Sequence, residues 1–348
     1  MEALPRADIR TLSRAISRVE NRAEGYQTVL REAYRTSHWA TVLGITGPPG
    51  AGKSTLVDAL ATHWGADGTR IAIIAVDPSS PFSGGAVLGD RIRMDKSSAL
   101  PNVFCRSMSA RGHIGGLSEA ACDIVAVLSH FGFERILLET VGAGQSDIEV
   151  GGTADCTLVV AVPGLGDQVQ AQKAGIMEIG DLYAVNKSDL PQAAATRDQI
   201  ESMLAVAYMG RPGVNAFDNA DAPGMRPPPL LTPGGRALLR RHGDARHEAT
   251  TWRPPVLAVA ARGNQGISEL AAATDQFLAW SQQSGRLLAK RRSRIHDQVL
   301  RLLTQRLLQP FTQASPDDAT PLTAWIDAIV SGEASPIEAA SALLMDKI

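Results

Sequence analysis

The chain has few of the features that mark secreted, membrane-embedded or nucleic-acid-binding proteins. Its 348 residues include only three cysteines, none in a C-x-x-C pair, which excludes a disulfide scaffold and favours a reducing cytoplasm. No stretch approaches about 18 uninterrupted apolar residues, so no membrane span is expected. Lysine and arginine total 34 against 36 aspartate and glutamate, and this balance argues against binding nucleic acid through bulk charge. We therefore expect a soluble, cytoplasmic protein.

Apolar runs alternate with helical patterns over residues 40–285. The strand candidates are near-continuous apolar runs, which is typical of a mostly parallel sheet covered by helices on both faces. They are residues 41–46, 71–76, 135–140, 157–162, 182–186 and 255–260. Helices are expected at 53–65, 117–131, 168–178, 195–207 and 267–284. The pattern predicts an α/β domain whose ligands bind at the carboxyl ends of the strands.

Helical segments flank this domain. We expect one helix over 7–37 within an N-terminal segment, 1–39, and only helices over 286–348. Residues 286–308 combine a leucine stripe with basic residues, which we interpret as a solvated basic face on a packing helix rather than a nucleic-acid surface. Residues 210–251 are rich in proline and glycine and predict an irregular insertion within the α/β domain.

A glycine-rich turn joins the first predicted strand to the next helix. It fits the pattern G-x-x-x-x-G-K-[ST], whose backbone N–H groups cradle phosphates. Lys53 is expected at the β- and γ-phosphates, and the Ser54 hydroxyl on Mg²⁺. The turn therefore predicts a P-loop for a nucleoside triphosphate, formed by Gly47, Pro48, Pro49, Gly50, Ala51, Gly52, Lys53 and Ser54.

A second motif indicates which base is bound. The pattern N-K-x-D, formed by Asn186, Lys187 and Asp189, follows the apolar run 182–185 and so lies at the carboxyl end of a strand. Asp189 is able to accept the two N–H donors that guanine presents and adenine lacks. The two motifs together predict a GTP site.

Further acidic residues follow other strands. Asp77 ends one predicted strand, where a carboxylate can orient a water or another ligand of a metal. Glu139 ends another, where an acidic residue completes the Mg²⁺ shell of P-loop enzymes. The loop 89–94 adds Asp90 and two arginines, and Gly142 can approach the γ-phosphate closely because it has no Cβ. Together they predict a metal–phosphate site.

Four segments of the chain match a known family, and they are residues 76–81, 84–94, 106–117 and 139–146. They resemble the MeaB/ArgK family, P-loop GTPases that act as chaperones of adenosylcobalamin-dependent acyl-CoA mutases, and the similarity extends over 7–209 and 252–346. The resemblance implies that residues 47–55 hold the phosphates, which adds Thr55 to the P-loop residues given above. It also implies an Mg²⁺ site of Ser54, Asp77, Asp90 and Glu139, an arginine, Arg93, that supports hydrolysis, and guanine contacts aided by Ala260, Ala261 and Arg262.

The resemblance also implies partners. Residues 163–173 resemble the family's extra switch loop, which relays the nucleotide state to the mutase, and Gln170 and Lys173 match its pattern. The implied cofactors are GTP or GDP and Mg²⁺. No D-x-H-x-x-G corrin-binding signature occurs, so cobalamin would belong to the partner. We expect a homodimer through the C-terminal helices, a mutase as partner, and an adenosyltransferase as a further candidate partner.

Departures from the family pattern leave the mutase unidentified. The extra switch reads Gln-Val-Gln-Ala-Gln-Lys at 168–173 instead of Glu-Leu-Gln-Gly-Ile-Lys, and the base loop begins Ala260-Ala261 instead of Ser-Ala. Methylmalonyl-, isobutyryl-, 2-hydroxyisobutyryl- and ethylmalonyl-CoA mutases all remain open as partners.

One alternative function is a kinase, which transfers phosphate to an acceptor other than water. Another is a metal-insertion GTPase, which needs a Cys/His cluster.

Overall fold

The computed structural model describes residues 6–36, 38–78, 94, 96–110, 116–140, 150–164, 179–209, 252–312 and 321–345. The chain divides into two compact units, Met1–Arg292 and Ser293–Ile348. The domain boundaries expected from the sequence, at 39/40 and 285/286, stay a prediction.

A seven-stranded sheet forms the centre of the first unit. Its strand order is β3-β2-β4-β1-β5-β6-β7, and every pairing is parallel. The central strand, β1, lies between β4 and β5, and its register places Ile45 beside Glu139. The strands are β1 (Thr41–Thr46), β2 (Ile71–Pro78), β3 (Val103–Ala110), β4 (Arg135–Thr140), β5 (Cys156–Ala161), β6 (Leu182–Val185) and β7 (Val256–Ala258). The predicted parallel α/β fold is confirmed.

Helices cover both faces of this sheet. They are α1 (Arg6–Glu20), α2 (Tyr26–Ala33), α3 (Lys53–Gly65), α4 (Gly116–His130), α5 (Ala193–Met209) and α6 (Ile267–Gln283). A further helix, α7 (Arg286–Thr312), begins in this unit. One apolar cluster joins α3 and α6 to alternate strand residues such as Ile71 and Ile73. A second joins α1, α2 and α4 to the opposite face, including Ala72 and Ile74. The alternation follows from the two-residue period of a strand.

Two elements differ from the sequence-based expectation. The single helix expected over 7–37 is wrong, because α1 and α2 are separated by a turn. Arg22 (φ 49°) adopts a left-handed conformation just after α1, which is typical of a helix end, and Gly25 (φ 80°) adopts one directly before α2. Strand β3 is absent from the expected strands. It is an edge strand with polar alternation, and its Arg106 bonds Glu20 and the Ser13 carbonyl of α1. The helix expected at 168–178 lies outside the described residues.

The basic start of α7 also differs from the expectation. Arg286, Lys290 and Arg291 retain side-chain exposures of only 13, 14 and 24 % and pair with the buried carboxylates of Asp155 and Asp181. The interpretation as a solvated basic face is therefore wrong for these three residues.

The second unit contains only helices among its described residues. It comprises the rest of α7, α8 (Pro321–Val330) and α9 (Pro336–Met345). Across both units, none of the helices in the described ranges combines the length and apolar character needed to cross a lipid bilayer.

Candidate functional site

The loop between β1 and α3 packs too closely against its neighbours for side chains at two glycines. A Cβ on Gly47 would collide with the Val160 carbonyl of β5. A Cβ on Gly52 would lie 2.5 Å from the side-chain nitrogen of Asn186, and Gly52 also has a φ of 80°. Glycine is thus required at both positions for close approach, and at Gly52 also for the left-handed backbone.

The amino terminus of α3 is built to receive an anion. The residue before the helix is Gly52, so no side chain caps the first turn. The first N–H groups of a helix lack carbonyl partners within it, and with the helix dipole they bind phosphate. Lys53 begins the helix and is buried, with its ammonium donating to the carbonyl oxygens of Gly47 (2.7 Å) and Pro48 (3.0 Å). Positive charge therefore lies directly against the loop.

Oxygen ligands suited to a divalent cation lie beside this helix. The Ser54 hydroxyl donates to the Oε1 atom of Glu139 at 2.7 Å, and the Glu139 side chain is buried at the end of β4. Mg²⁺ prefers hydroxyl and carboxylate oxygens, and a buried carboxylate needs a compensating charge. The pair fits an Mg²⁺ ion bound next to the phosphates.

Asn186 links the loop between β1 and α3, which we call the phosphate loop, to the loop after β7. Its amide nitrogen donates to the carbonyls of Ala51 (2.8 Å) and Gly52 (3.4 Å), and its Oδ1 accepts from the Ala261 N–H (3.2 Å). The residue is only 3 % exposed. Asn186 and Ala261 thus bond each other, and their contact with a base stays a prediction.

Lys187 and Asp189 follow Asn186 in the chain, and both are exposed. Lys187 has a left-handed backbone (φ 58°), and its ammonium donates to the Gly50 carbonyl at 3.0 Å. The N-K-x-D motif therefore contacts the phosphate loop at one end and presents a carboxylate at the other.

Most of these groups line a cleft of about 1040 Å³, whereas Gly47, Pro48 and Ala51 are not among its lining residues. The cleft runs along the carboxyl ends of the strands, where the sequence pattern predicts the ligand site. Its lining includes the predicted residues Pro49, Gly50, Gly52, Lys53, Ser54, Thr55, Glu139, Asn186, Lys187, Asp189, Ala260, Ala261 and Arg262. Five further lining residues belong to neither nucleotide motif and were not singled out from the sequence; they are Ala75, Thr140, Leu190, Gly263 and Gln265.

The structure does not describe the side chains of several predicted site residues. Asp77 lies in β2, but the position of its side chain is not described. The others lie in undescribed ranges and are Asp90, Arg93, Gly142, Gln170 and Lys173. Their predicted roles stay predictions.

Comparison with known proteins identifies a family. The sequence model of one family, described as methylmalonyl Co-A mutase-associated GTPase MeaB, matches residues 12–316. A Pyrococcus abyssi protein with a provisional GTPase assignment is 39 % identical over 299 residues, covering 86 % of this chain and 81 % of the relative. The GTPase ArgK of Escherichia coli is 34 % identical over 284 residues, covering 80 and 74 %.

A solved structure shares the fold. The crystal structure of a LAO/AO transport system kinase aligns over 99 % of both chains with a TM-score of 0.61 and 23 % sequence identity. Identity at this level supports the shared architecture alone.

Proposed function

The chain belongs to the MeaB family of methylmalonyl Co-A mutase-associated GTPases, and we propose that it is an Mg²⁺-dependent GTPase chaperone of an adenosylcobalamin-dependent acyl-CoA mutase. GTP hydrolysis would be coupled to loading of the cofactor and to protection or reactivation of the mutase. The observation that carries the nucleotide part is the side chain of Asn186, which joins the phosphate loop to the base-side loop around one cleft.

Different residues of the cleft would bind the phosphates, the guanine base and Mg²⁺. Loop N–H groups and the Lys53 ammonium bind the β- and γ-phosphates, while Asp189 accepts the N1 and 2-amino protons of guanine. Ser54 and Glu139 would hold Mg²⁺, with Asp77 and Asp90 proposed for the rest of its shell. The ion supplies positive charge that offsets the charge developing on the phosphates.

Hydrolysis would then depend mainly on positioning and charge. Water attacks the γ-phosphorus in line as its bond to the β–γ bridging oxygen breaks, so that GDP leaves and the water protons remain on the inorganic phosphate. Lys53 offsets the negative charge that develops on the phosphate oxygens. Arg93 is proposed to add a second positive group. A positioned arginine raises the hydrolysis rate roughly 10³–10⁵-fold. If the partner is needed to place Arg93 fully, turnover is slow for the chain alone and faster with the partner.

The partner side of the proposal rests on the family name and the resemblance. Gln170 and Lys173 would report the nucleotide state to the mutase, which holds the cobalamin, and an adenosyltransferase is a further candidate partner. A homodimer through the C-terminal helices and a cytoplasmic location complete the proposal. The location is supported by the three cysteines, which form no disulfide.

The first experiment is hydrolysis of GTP and ATP by the purified chain, alone and with a panel of cobalamin-dependent acyl-CoA mutases. We expect slow, GTP-selective hydrolysis that one mutase accelerates. The Lys53→Ala variant is the control for activity that comes from this site. If no mutase binds or stimulates the chain and label from GTP appears on another acceptor, the chaperone proposal fails and the kinase alternative takes its place.

A further inference from the structure

The first two turns of α7 contact the amino-terminal ends of the sheet, opposite the cleft. Arg286 and Lys290 pair with Asp181, which directly precedes β6, and Arg291 pairs with Asp155, which precedes β5. We call residues 286–292 the strap. Their charges serve the fold, because each carboxylate is about 1 % exposed and needs a cation.

Asp181 is bonded through its backbone and its side chain. Its N–H donates to the Thr157 carbonyl at 2.8 Å, and its own carbonyl accepts from the indole nitrogen of Trp252 at 2.9 Å. One carboxylate oxygen accepts from the Thr157 N–H (2.9 Å) and lies 3.9 Å from the Lys290 ammonium. The other accepts from Arg286 at 2.9 Å. The carboxylate thus connects β5, β6 and the strap.

An aromatic cluster fixes the direction of Arg286. Its guanidinium carbon lies 5.2 Å from the ring centroid of Phe277 and 5.7 Å from that of Trp280. Trp252, which bonds Asp181, packs against both rings. Because the guanidinium is held between rings and carboxylate, its bond to Asp181 has a defined geometry.

Strand β6 connects this point to the base-binding side of the cleft. Asp181 comes immediately before the strand and Asn186 immediately after it, at a distance of about 16 Å along an extended chain. All four residues between them are buried, and the strand is hydrogen-bonded to β5 and β7. An extended strand of four residues has little slack, so a displacement of Asp181 along the strand axis would move Asn186 with it.

We propose that Arg286 and Lys290 are positioning residues for base recognition. By holding Asp181 they set the position of β6 along its axis, and therefore the position of Asn186 and the Asp189 carboxylate. This inference rests on the guanine site proposed above. It assigns the strap a function in nucleotide selectivity, in addition to its part in the fold.

The test compares binding of GDP with binding of IDP, which lacks the 2-amino group that Asp189 is proposed to recognise. For the full-length chain we expect GDP to bind roughly tenfold tighter or more, the range of one hydrogen bond to a charged group. Arg286→Met should lower this ratio at least about threefold, because a small displacement of a recognition group weakens its bond strongly. Arg286→Lys should restore part of the ratio. Lys290→Met is the milder variant should Arg286→Met fail to fold.

Arg291→Met is the matched control. It removes an arginine from the same strap and breaks a similar buried pair, but under β5 and β1 rather than β6. Its melting temperature should fall while the GDP-to-IDP ratio stays as in the wild type. A ratio unchanged in both Arg286→Met and Lys290→Met, with only stability lost, would overturn the inference. If the wild type itself shows no preference for GDP, the proposed guanine site fails first.

Discussion

Two glycines of the phosphate loop have similar backbone conformations but different surroundings. Gly50 has φ 75°, and a Cβ added to it would have no atom within 4 Å, whereas a Cβ on Gly52 (φ 80°) would meet the Asn186 amide. An alanine at either position carries the cost of a left-handed backbone, about 1–2 kcal/mol. Only Gly52→Ala must also displace the side chain that joins the two loops of the cleft.

We therefore predict that Gly52→Ala weakens GDP binding at least about tenfold more than Gly50→Ala, as expected when a buried hydrogen-bonded amide loses its partners. Titration calorimetry on both variants measures the difference, and circular dichroism checks that both fold. Equal losses would mean that backbone strain alone acts, and that the Asn186 bridge does not contribute to binding.

At the scale of single elements, the start of α9 shows a reciprocal cap. The Ser335 hydroxyl and N–H both donate to the Glu338 carboxylate at 2.8 Å, and the Glu338 N–H donates back to the hydroxyl at 3.3 Å. These bonds, led by that from the Ser335 hydroxyl, lower the pKa of Glu338 below its ordinary value. The sequence Ser-Pro-Ile-Glu carries the capping-box spacing.

The lowered pKa of Glu338 gives the cap a pH dependence. A group whose pKa is lower in the folded state stabilises the fold above its unfolded pKa, about 4.3 for glutamate, and that contribution is lost as the pH falls through the folded value. Ser335→Ala should raise the pKa of Glu338 toward its ordinary value and weaken this acid dependence, as followed by NMR titration of its carboxyl carbon. Ser331→Ala, in the preceding turn, is the control and should leave the titration unchanged. The same pKa in Ser335→Ala and wild type would contradict the assigned cap.

Local periodicity predicted most elements because their apolar residues face one buried surface. It failed where contacts between residues far apart in sequence determine whether an element forms or a side chain is covered. Strand β3 is stabilised as an edge by Arg106 and its bonds to α1. The basic side chains of the strap are mostly covered because they pair with Asp155 and Asp181, which lie far away in sequence. From the sequence, the basic start of a helix with no acidic residues near it is interpreted as solvated. In the folded chain, carboxylates from distant positions form its ion pairs.

At the scale of the whole molecule, the two sequence motifs come together at one cleft because each follows a strand of one parallel sheet. The loop residues Gly50 and Gly52, Lys53, Ser54 and the N-K-x-D residues all line it. Local spacing does not show how these groups are joined. The Asn186 bridge and the lining by Gln265 depend on the order of β1, β6 and β7 in the sheet, which only the folded chain establishes.

The C-terminal unit carries exposed apolar side chains that the proposed homodimer would cover. On α7, Val299 is 49 % exposed, Leu302 39 % and Leu303 52 %. Successive helical residues are about 100° apart, so these three lie on one side and Thr304 on the opposite side. Apolar residues clustered on an exposed face mark an interface.

Leu303→Glu should therefore weaken self-association by about 100-fold or more, because a second copy would have to bury an unpaired charge. Sedimentation velocity over a concentration series gives the dissociation constants, and Thr304→Glu adds the same charge on the far side as the matched control. We expect the wild type and Thr304→Glu to be dimers under conditions where Leu303→Glu is a monomer. A monomeric wild type, or a Leu303→Glu variant that dimerises as well as Thr304→Glu, would show that this face of α7 is not the dimer interface.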